Sequence, residues 1–297
     1  MTKDGDLLTA GLPQYGQLGH GSDHEYNSKE GTVKLAYMPQ PVPTVVQTFK
    51  AAGAKVTKVA AGHNHCVAVD AAGKVYTWGN GGYGRLGHKE QKDEFIPKQV
   101  FIPGGDRNLS PPDCVVAAGS TSSFVSAAQG QLYYWGKARL LSPLALLCFR
   151  ALDSAGCFAT QIKTSGDNQM YPKPFLELSG WMPRAFSAGA VTFAVCSETS
   201  TITWGGASYG ELGYGPAGKK SSANPDKVAA LEGMKVLSVA CGAGHTLFLA
   251  DAASPGLAKL PAWSPPADPP PPPAEEPDAK GGKKRKGDAG AGGAKKR

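Results

Sequence analysis

One phrase recurs along the chain and constrains its fold more than any other feature. Residues 10–20 read A-G-L-P-Q-Y-G-Q-L-G-H, residues 78–88 read W-G-N-G-G-Y-G-R-L-G-H, and residues 204–214 read W-G-G-A-S-Y-G-E-L-G-Y. A shorter copy, Y-W-G, stands at residues 134–136. Self-similarity of this kind is the mark of a repeat architecture, in which each unit buries its apolar face against the next.

Each copy follows a short apolar run: V-Y-T-W before Gly79, L-Y-Y-W before Gly136, T-I-T-W before Gly205 and L-L-T-A before Gly11. The residue two before the tryptophan position is apolar throughout (Leu8, Tyr76, Tyr133, Ile202), and side chains two apart share a strand face. Burial of that residue with Trp78, Trp135 or Trp204 is therefore expected. The turn glycines, among them Gly84, Gly87, Gly210 and Gly213, suit positive φ or close backbone approach.

A second phrase precedes each tryptophan. It reads V-A-A-G-H-N-H-C-V-A-V at residues 59–69 and V-A-C-G-A-G-H-T-L-F-L at residues 239–249, with weaker copies at 116–126 and 186–196. The third position after its glycine is His65, Ser122, Thr192 or His245, each able to hydrogen-bond. Apolar residues alternate behind it. The phrase reads as an inner strand with one polar anchor per unit, and His65 and His245 as hydrogen-bonded core histidines. Short strands in units of roughly 40–50 residues with a Gly/aromatic signature are those of an all-β propeller.

These motifs resemble the regulator of chromosome condensation repeat. The stretches carrying the resemblance are PQYGQLGHGSD at 13–23, AGHNHCVAV at 61–69, YTWGNGGYGRLGHKEQKDE at 76–94, MYPK at 170–173 with Gly180-Trp181, ITWGGASYGELGYG at 202–215 and KLPAWSP at 259–265. With their intervening strands they cover most of residues 1–137 and 161–265, and they resemble one branch of that family most. The resemblance implies a seven-bladed β-propeller. Seven blades at roughly 50 residues each need about 350 residues, and about four units are visible.

The chain opens on the second half of a unit and its repeats end on a first half. Two explanations stay open: the terminal halves pair and close a small ring, or residues preceding Met1 belong to the protein. The absence of the family's first blades favours the second. Residues 137–160 depart from the pattern. There Leu140, Leu144, Leu147 and Ala151 form one helical stripe with Ser142 as N-cap and Pro143 at the first helical position. An inserted partner-binding helix and a translated intron both fit, and the apolar run is too short to span a bilayer.

The expected domains are propeller repeats over 1–263 and a disordered tail over 264–297, Pro-rich and then basic. Residues 280–297 hold eight Lys/Arg and one Asp, net +7, which equals the formal net charge of the whole chain, so residues 1–279 are neutral. A neutral body argues against a broad basic face for DNA. Lys283, Lys284, Arg285 and Lys286, with Lys295, Lys296 and Arg297, suit nuclear import or a sequence-blind tether. No signal-peptide pattern stands at the N-terminus, and the six cysteines form no framework, so reduced thiols and a nuclear and cytoplasmic location are expected.

Catalytic patterns fail on inspection. Gly79-x-Gly81-x-x-Gly84 follows a strand but opens no helix, and Gly213-x-x-x-x-Gly218-Lys219 lacks the following hydroxyl. His63 and His65 lack the further ligands of a metal site. No cofactor, metal or small-molecule substrate is expected, and no enzyme activity beyond nucleotide exchange on a GTPase. The charged loop Lys89, Glu90, Gln91, Lys92, Asp93 and Glu94 is the candidate partner-binding segment, with a solvated connector as the alternative. By resemblance, the partner is a small GTPase of the Rac, Arf or Ral type, and the setting is the cell cycle. The alternatives are a chromatin- or microtubule-associated scaffold held by the basic tail, or an incomplete product without independent activity.

Overall fold

The computed structural model describes residues 1–22, 25–27, 33–35, 37–103, 114–127, 130–137, 168–262 and 264. Residues 138–160 of the expected insertion and both basic clusters of the tail lie outside the described residues. The chain divides into a compact unit, Met1–Leu260, and a second unit, Pro261–Arg297.

The first unit is built of antiparallel strands. β1 (Leu8–Gly11) pairs with β4 (Gln40–Val45), and β2 (Glu25–Asn27) pairs with β3 (Val33–Leu35) between them. A short helix, α1 (Gln47–Ala51), follows and buries Phe49. Three four-stranded sheets come next: β5 (Val56–Ala61) to β8 (Glu94–Val100) by way of β6 (His65–Asp70) and β7 (Val75–Gly79); β9 (Val116–Ala118), β10 (Ser122–Ser126), β11 (Leu132–Gly136) and β12 (Gln169–Pro174); β13 (Ala185–Ala188), β14 (Thr192–Cys196), β15 (Thr201–Gly205) and β16 (Ser222–Lys227). A two-stranded sheet of β17 (Val236–Cys241) and β18 (Thr246–Ala250) ends the series.

Successive sheets stack face to face, with β5, β9, β13 and β17 as consecutive innermost neighbours. One apolar cluster fills each interface. Val67, Val69 and Val100 meet Val125, Tyr133 and Trp135. Phe124 and Leu132 meet Phe186, Phe193 and Trp204. Ala194 and Cys196 meet Val236 and Val239. Leu7, Val46 and Phe49 meet Val56, Ala68 and Trp78. The arrangement is a β-propeller, with three complete blades and a half-blade at either end of the series among the described residues. β1 and β18 share no ladder, so the terminal halves do not close a ring on each other within the chain.

Each repeated phrase acquires a physical reason. The G-x-x-H phrase spans two strands and the turn between them, not one inner strand, and in each copy the glycine N–H donates to the anchor's carbonyl (Gly62 to His65, Gly119 to Ser122, Gly189 to Thr192, Gly242 to His245). The glycine is needed because the next blade is so close: a Cβ on Gly189 would stand 2.5 Å from the Gly242 carbonyl oxygen. The W-G glycine sits at a bulge. Thr77 pairs with Lys98 and Gly79 with Glu94, so two residues of β7 face four of β8, and the same step recurs at Gly11, Gly136 and Gly205. All four have φ between 90° and 121°, the glycine region.

The L-G-H turn locks onto its own blade and the next. Thr77 Oγ1 donates to the Leu86 carbonyl (2.6 Å), so its bond to His88 Nε2 (3.0 Å) is accepted from the ring N–H. Thr9 repeats both contacts with Leu18 and His20. At the third copy Tyr214 replaces the histidine, and its hydroxyl donates to the Thr203 carbonyl instead. The turn then seats the next blade's tryptophan: Trp78 Nε1 donates to the Gln17 carbonyl (2.9 Å), and a methyl on Gly87 would stand 3.0 Å from Trp135 Cδ1. The three tryptophans are at most 2% exposed.

The anchors divide. His65 is buried, and its Nε2 lies 2.8 Å from Ser123 Oγ, whose own proton goes to the Arg85 carbonyl (2.7 Å). The ring must therefore donate from Nε2, which leaves the buried Nδ1 bare. Burial, with the Arg85 charge adding to it, lowers His65 to about 3. Thr192 Oγ1 donates to the Gly206 carbonyl in the same role. His245 corrects the expectation of a core histidine: it is exposed, and among the described residues no third strand or further blade covers β18.

Two outcomes follow. Thr77→Val keeps the shape but strands the Leu86 carbonyl and the His88 N–H, so thermal or urea unfolding should show a loss of about 1–3 kcal/mol. The exposed Thr44→Val should change stability by less than about 0.5 kcal/mol. His65 stays neutral in the folded chain down to about 3, whereas an unfolded imidazole takes its proton near 6.5. The unfolded state binds more protons between those values, so His65 removes stability as pH falls below about 6.5. The melting temperature should therefore drop between pH 7 and pH 5, and by less in His65→Ser, which borrows the Ser122 anchor. Equal drops would contradict the assignment.

Candidate partner-binding face

Strand direction gathers both repeated phrases on one face. His65 pairs with Gly79, and Gly79 with Glu94, so the β5–β6 turn and the β7–β8 loop emerge at the same end of the blade. The other blades repeat this. Among the described residues, the opposite end carries the short β6–β7-type turns.

The most developed feature of that face lies in the loop between β7 and β8. Tyr83 holds a left-handed conformation (φ 62°) and is 44% exposed. Two cations stand over its ring: Arg85 Cζ is 5.5 Å and Lys137 Nζ 5.2 Å from the centroid. Arg85 is buried and fixed, donating from Nε to the Gly82 carbonyl (2.9 Å) and from Nη1 to the Ser120 carbonyl of the next blade (3.1 Å). Burial lowers its pKa from the ordinary value, and the nearby Tyr83 and Asp93 oppose that. Lys137 is held at its backbone by Thr121, whose carbonyl accepts its N–H and whose hydroxyl donates to its carbonyl. Cations on an aromatic face gain about 0.5–2 kcal/mol, and such a cluster is stiff before any partner arrives.

Comparison of the copies explains how the cluster arose. In the Y-G-x-L-G turn, x is Gln17, Arg85 or Glu211. Gln17 Oε1 accepts the Tyr15 N–H (2.7 Å), and Glu211 Oε2 accepts the Tyr209 N–H (2.7 Å). Burial opposes the Glu211 charge, but these backbone N–H groups hold its carboxyl below the ordinary value. Arginine has no acceptor to offer. In its place Gln91 Oε1 accepts the Tyr83 N–H (3.0 Å), and Arg85 is released to reach the next blade.

That substitution defines the charged loop. Asp93 Oδ1 accepts the Gly81 N–H (2.8 Å), Glu90 and Glu94 pair with Lys98, and the Lys89 N–H donates to the Met170 carbonyl (2.8 Å). Gln91 and Asp93 therefore brace Tyr83 from below, and Glu90, Glu94 and the Lys89 backbone are engaged with neighbouring strands. The Lys92 carbonyl crowds Gly81 closely enough to exclude a side chain there. The sequence expectation did not single out Tyr83, Arg85 and Lys137, which stand beside these residues. The available signal was Arg85 standing where other copies carry an amide or carboxylate acceptor.

Other candidate chemistry is not assembled. Among the described residues no three His, Cys, Asp or Glu side chains converge as metal ligands, and no helix is long and apolar enough to cross a membrane. Cys66, Cys114, Cys196 and Cys241 are free thiols, and burial pushes Cys66 and Cys114 up to about 12. Gly79, Gly81 and Gly84 lead into a single 3-10 turn, Gly82–Gly84, which offers no helix N-terminus to a phosphate.

Comparison with known proteins places this geometry. The model of the "Regulator of chromosome condensation (RCC1) repeat" matches residues 4–69, 72–126 and 200–249. The chain is 34% identical over 286 residues to Protein RCC2 homolog of Xenopus laevis, covering 88% of this chain and 48% of that protein. It is 34% identical over 277 residues to Protein RCC2 of Homo sapiens, covering 88% and 47%. The chain thus spans about half the length of these curated relatives. Human WBSCR16, in its crystal structure, superposes with a TM-score of 0.58 at 21% identity, over 84% of this chain and 56% of that one, a likeness of fold. The repeat phrases, their shared bulge and the matched residues together make this chain a member of the regulator of chromosome condensation repeat family.

Proposed function

We propose that the chain is a non-enzymatic protein-binding propeller that regulates a small GTPase through the face carrying Tyr83, Arg85 and Lys137. The observation that supports this reading is the exposed Tyr83 ring, with the Arg85 guanidinium and the Lys137 ammonium over it and its backbone N–H held by Gln91. Tyrosine and arginine dominate binding hot spots, and a preorganised contact avoids the cost of ordering side chains on association. Family resemblance supplies the class of partner, a GTPase of the Rac, Arf or Ral type. Regulation by opening or sequestering a nucleotide pocket acts through contact and needs no nucleophile or general base. In this reading Gln91 and Asp93 serve by positioning Tyr83, and the remaining residues of 89–94 form the rim.

A second role attaches to the tail. Residues 280–297 hold the chain's whole net positive charge on a neutral body. That division suits a tether to chromatin or to microtubules and traffic between nucleus and cytoplasm, without a share in GTPase recognition.

Release of a fluorescent GDP analogue from Rac-, Arf- and Ral-like GTPases tests the main reading. The chain should change the release rate for at least one of them. Tyr83→Ala should weaken its binding by about tenfold or more, and Tyr83→Phe should restore it because the ring survives. Unchanged release and no binding with all three classes would contradict the proposal. Deleting residues 280–297 should displace the protein in cells and leave the release assay unaltered.

A further inference from the structure

The residue after the L-G-H turn breaks a backbone rule in one copy. Gly21 follows His20 at φ 86° and Gly215 follows Tyr214 at φ 82°, both in the left-handed region. Lys89 follows His88 at φ 69° and fills the same place. Its N–H donates to the Met170 carbonyl (2.8 Å), as the Gly21 N–H donates to the Phe95 carbonyl (2.9 Å). Lysine rarely adopts that conformation, and glycine does so freely. Nothing in the backbone contact asks for a side chain, so the lysine is retained for what its side chain reaches.

Lys89 lines a cavity of about 470 Å³ at the outer edge of the two neighbouring blades, together with Phe101, Pro103, Met170, Tyr171 and Pro172. Phe101 is 75% exposed between Val100 and Ile102, which are fully buried, so alternation turns its ring outward. Tyr171 is 49% exposed. Three residues beyond the partner of the buried threonine, the preceding blade carries the exposed Gln47 where this one carries Phe101. Lysine and an exposed aromatic ring therefore replace glycine and glutamine at one interface together. The Lys89 ammonium joins no ion pair among the described residues.

We propose that this cavity binds an extended, proline-containing segment of a partner protein that carries a carboxylate. Its proline rings pack on Phe101 and Tyr171, and its carboxylate meets Lys89. Charge complementarity selects the acid. The outer strand selects the backbone: β12 holds Pro172 and Pro174, which offer no N–H, so its edge is a poor template for an added strand. A polyproline II segment needs no ladder and docks on grooves lined by aromatic rings. The site takes a peptide and uses neither Tyr83 nor Arg85, so it stands or falls apart from the GTPase reading.

Selection of short random peptides displayed on phage, with the full chain as bait, tests the chemistry. Enriched peptides should place proline beside aspartate or glutamate. One of them, synthesised with a fluorescein label, is then titrated by fluorescence anisotropy. Lys89→Gly should weaken its binding by about three- to tenfold. Lys89→Glu should weaken it further, and a peptide with lysine in place of its acid should recover binding to that variant. Phe101→Ser with Tyr171→Ser, at side chains already exposed, should weaken it by about tenfold or more and leave nucleotide release from a GTPase unchanged. Lys89→Gly should melt no lower than the parent chain, because it relieves the left-handed lysine. Enrichment of peptides without an acid or without proline overturns the proposal. So does binding indifferent to Lys89→Glu or to the paired serine variant, and so does a lower melting temperature for Lys89→Gly, which would give the lysine to the fold.

Discussion

The threonine before the W-G position in three of the four copies, Thr9, Thr77 and Thr203, holds this structure together. It ties its strand to the carbonyl of the L-G-H turn, and the fixed turn becomes the seat for the next blade's tryptophan. A blade thereby specifies where its successor sits, through one buried hydroxyl and one ring. Deleting a buried tryptophan costs about 3–5 kcal/mol in ordinary cores, so a lock of this kind contributes on the scale of a domain's entire stability. Propellers need such locks because their sheets share no backbone ladder, and side-chain packing, side-chain hydrogen bonds and turn contacts join them. The inner G-x-x-H glycines supply the second constraint by letting neighbouring backbones approach at the centre.

One copy of this lock differs from the others. Arg85 in place of an acceptor would strand the Tyr83 N–H, and Gln91 restores the bond from six residues downstream. The exchange frees a guanidinium to cross to Ser120 and to stand on Tyr83. Ser123 meanwhile takes the Arg85 carbonyl, whose counterpart on Gln17 serves Trp78 one blade earlier. Trp135 Nε1 is left without a partner among the described residues.

The repeat made the strands, the blade order and the buried tryptophans legible, because periodicity two and turn glycines act locally. It also revealed that the chain begins and ends on opposite halves of a blade. The fate of each anchor was beyond its reach. His65 and His245 share a motif, yet one is buried and the other exposed, since burial depends on whether a next blade covers it. The charged loop was similarly ambiguous. Its residues stood out by composition, but the Gln91 amide and Asp93 carboxylate accept backbone N–H groups while Glu90 and Glu94 pair with Lys98, and only three-dimensional neighbours distinguish a brace from a contact. Residues 138–160 and the basic tail are settled by neither reading, as they lie outside the described residues.

Hydrogen exchange of the chain with and without a nucleotide-free small GTPase tests the central claim most directly. The account predicts slower exchange in residues 80–93 and at Thr121 and Lys137, with the turns at residues 71–74 and 197–200 on the opposite face unchanged. Protection confined to that opposite face, or none at any residue, would contradict it.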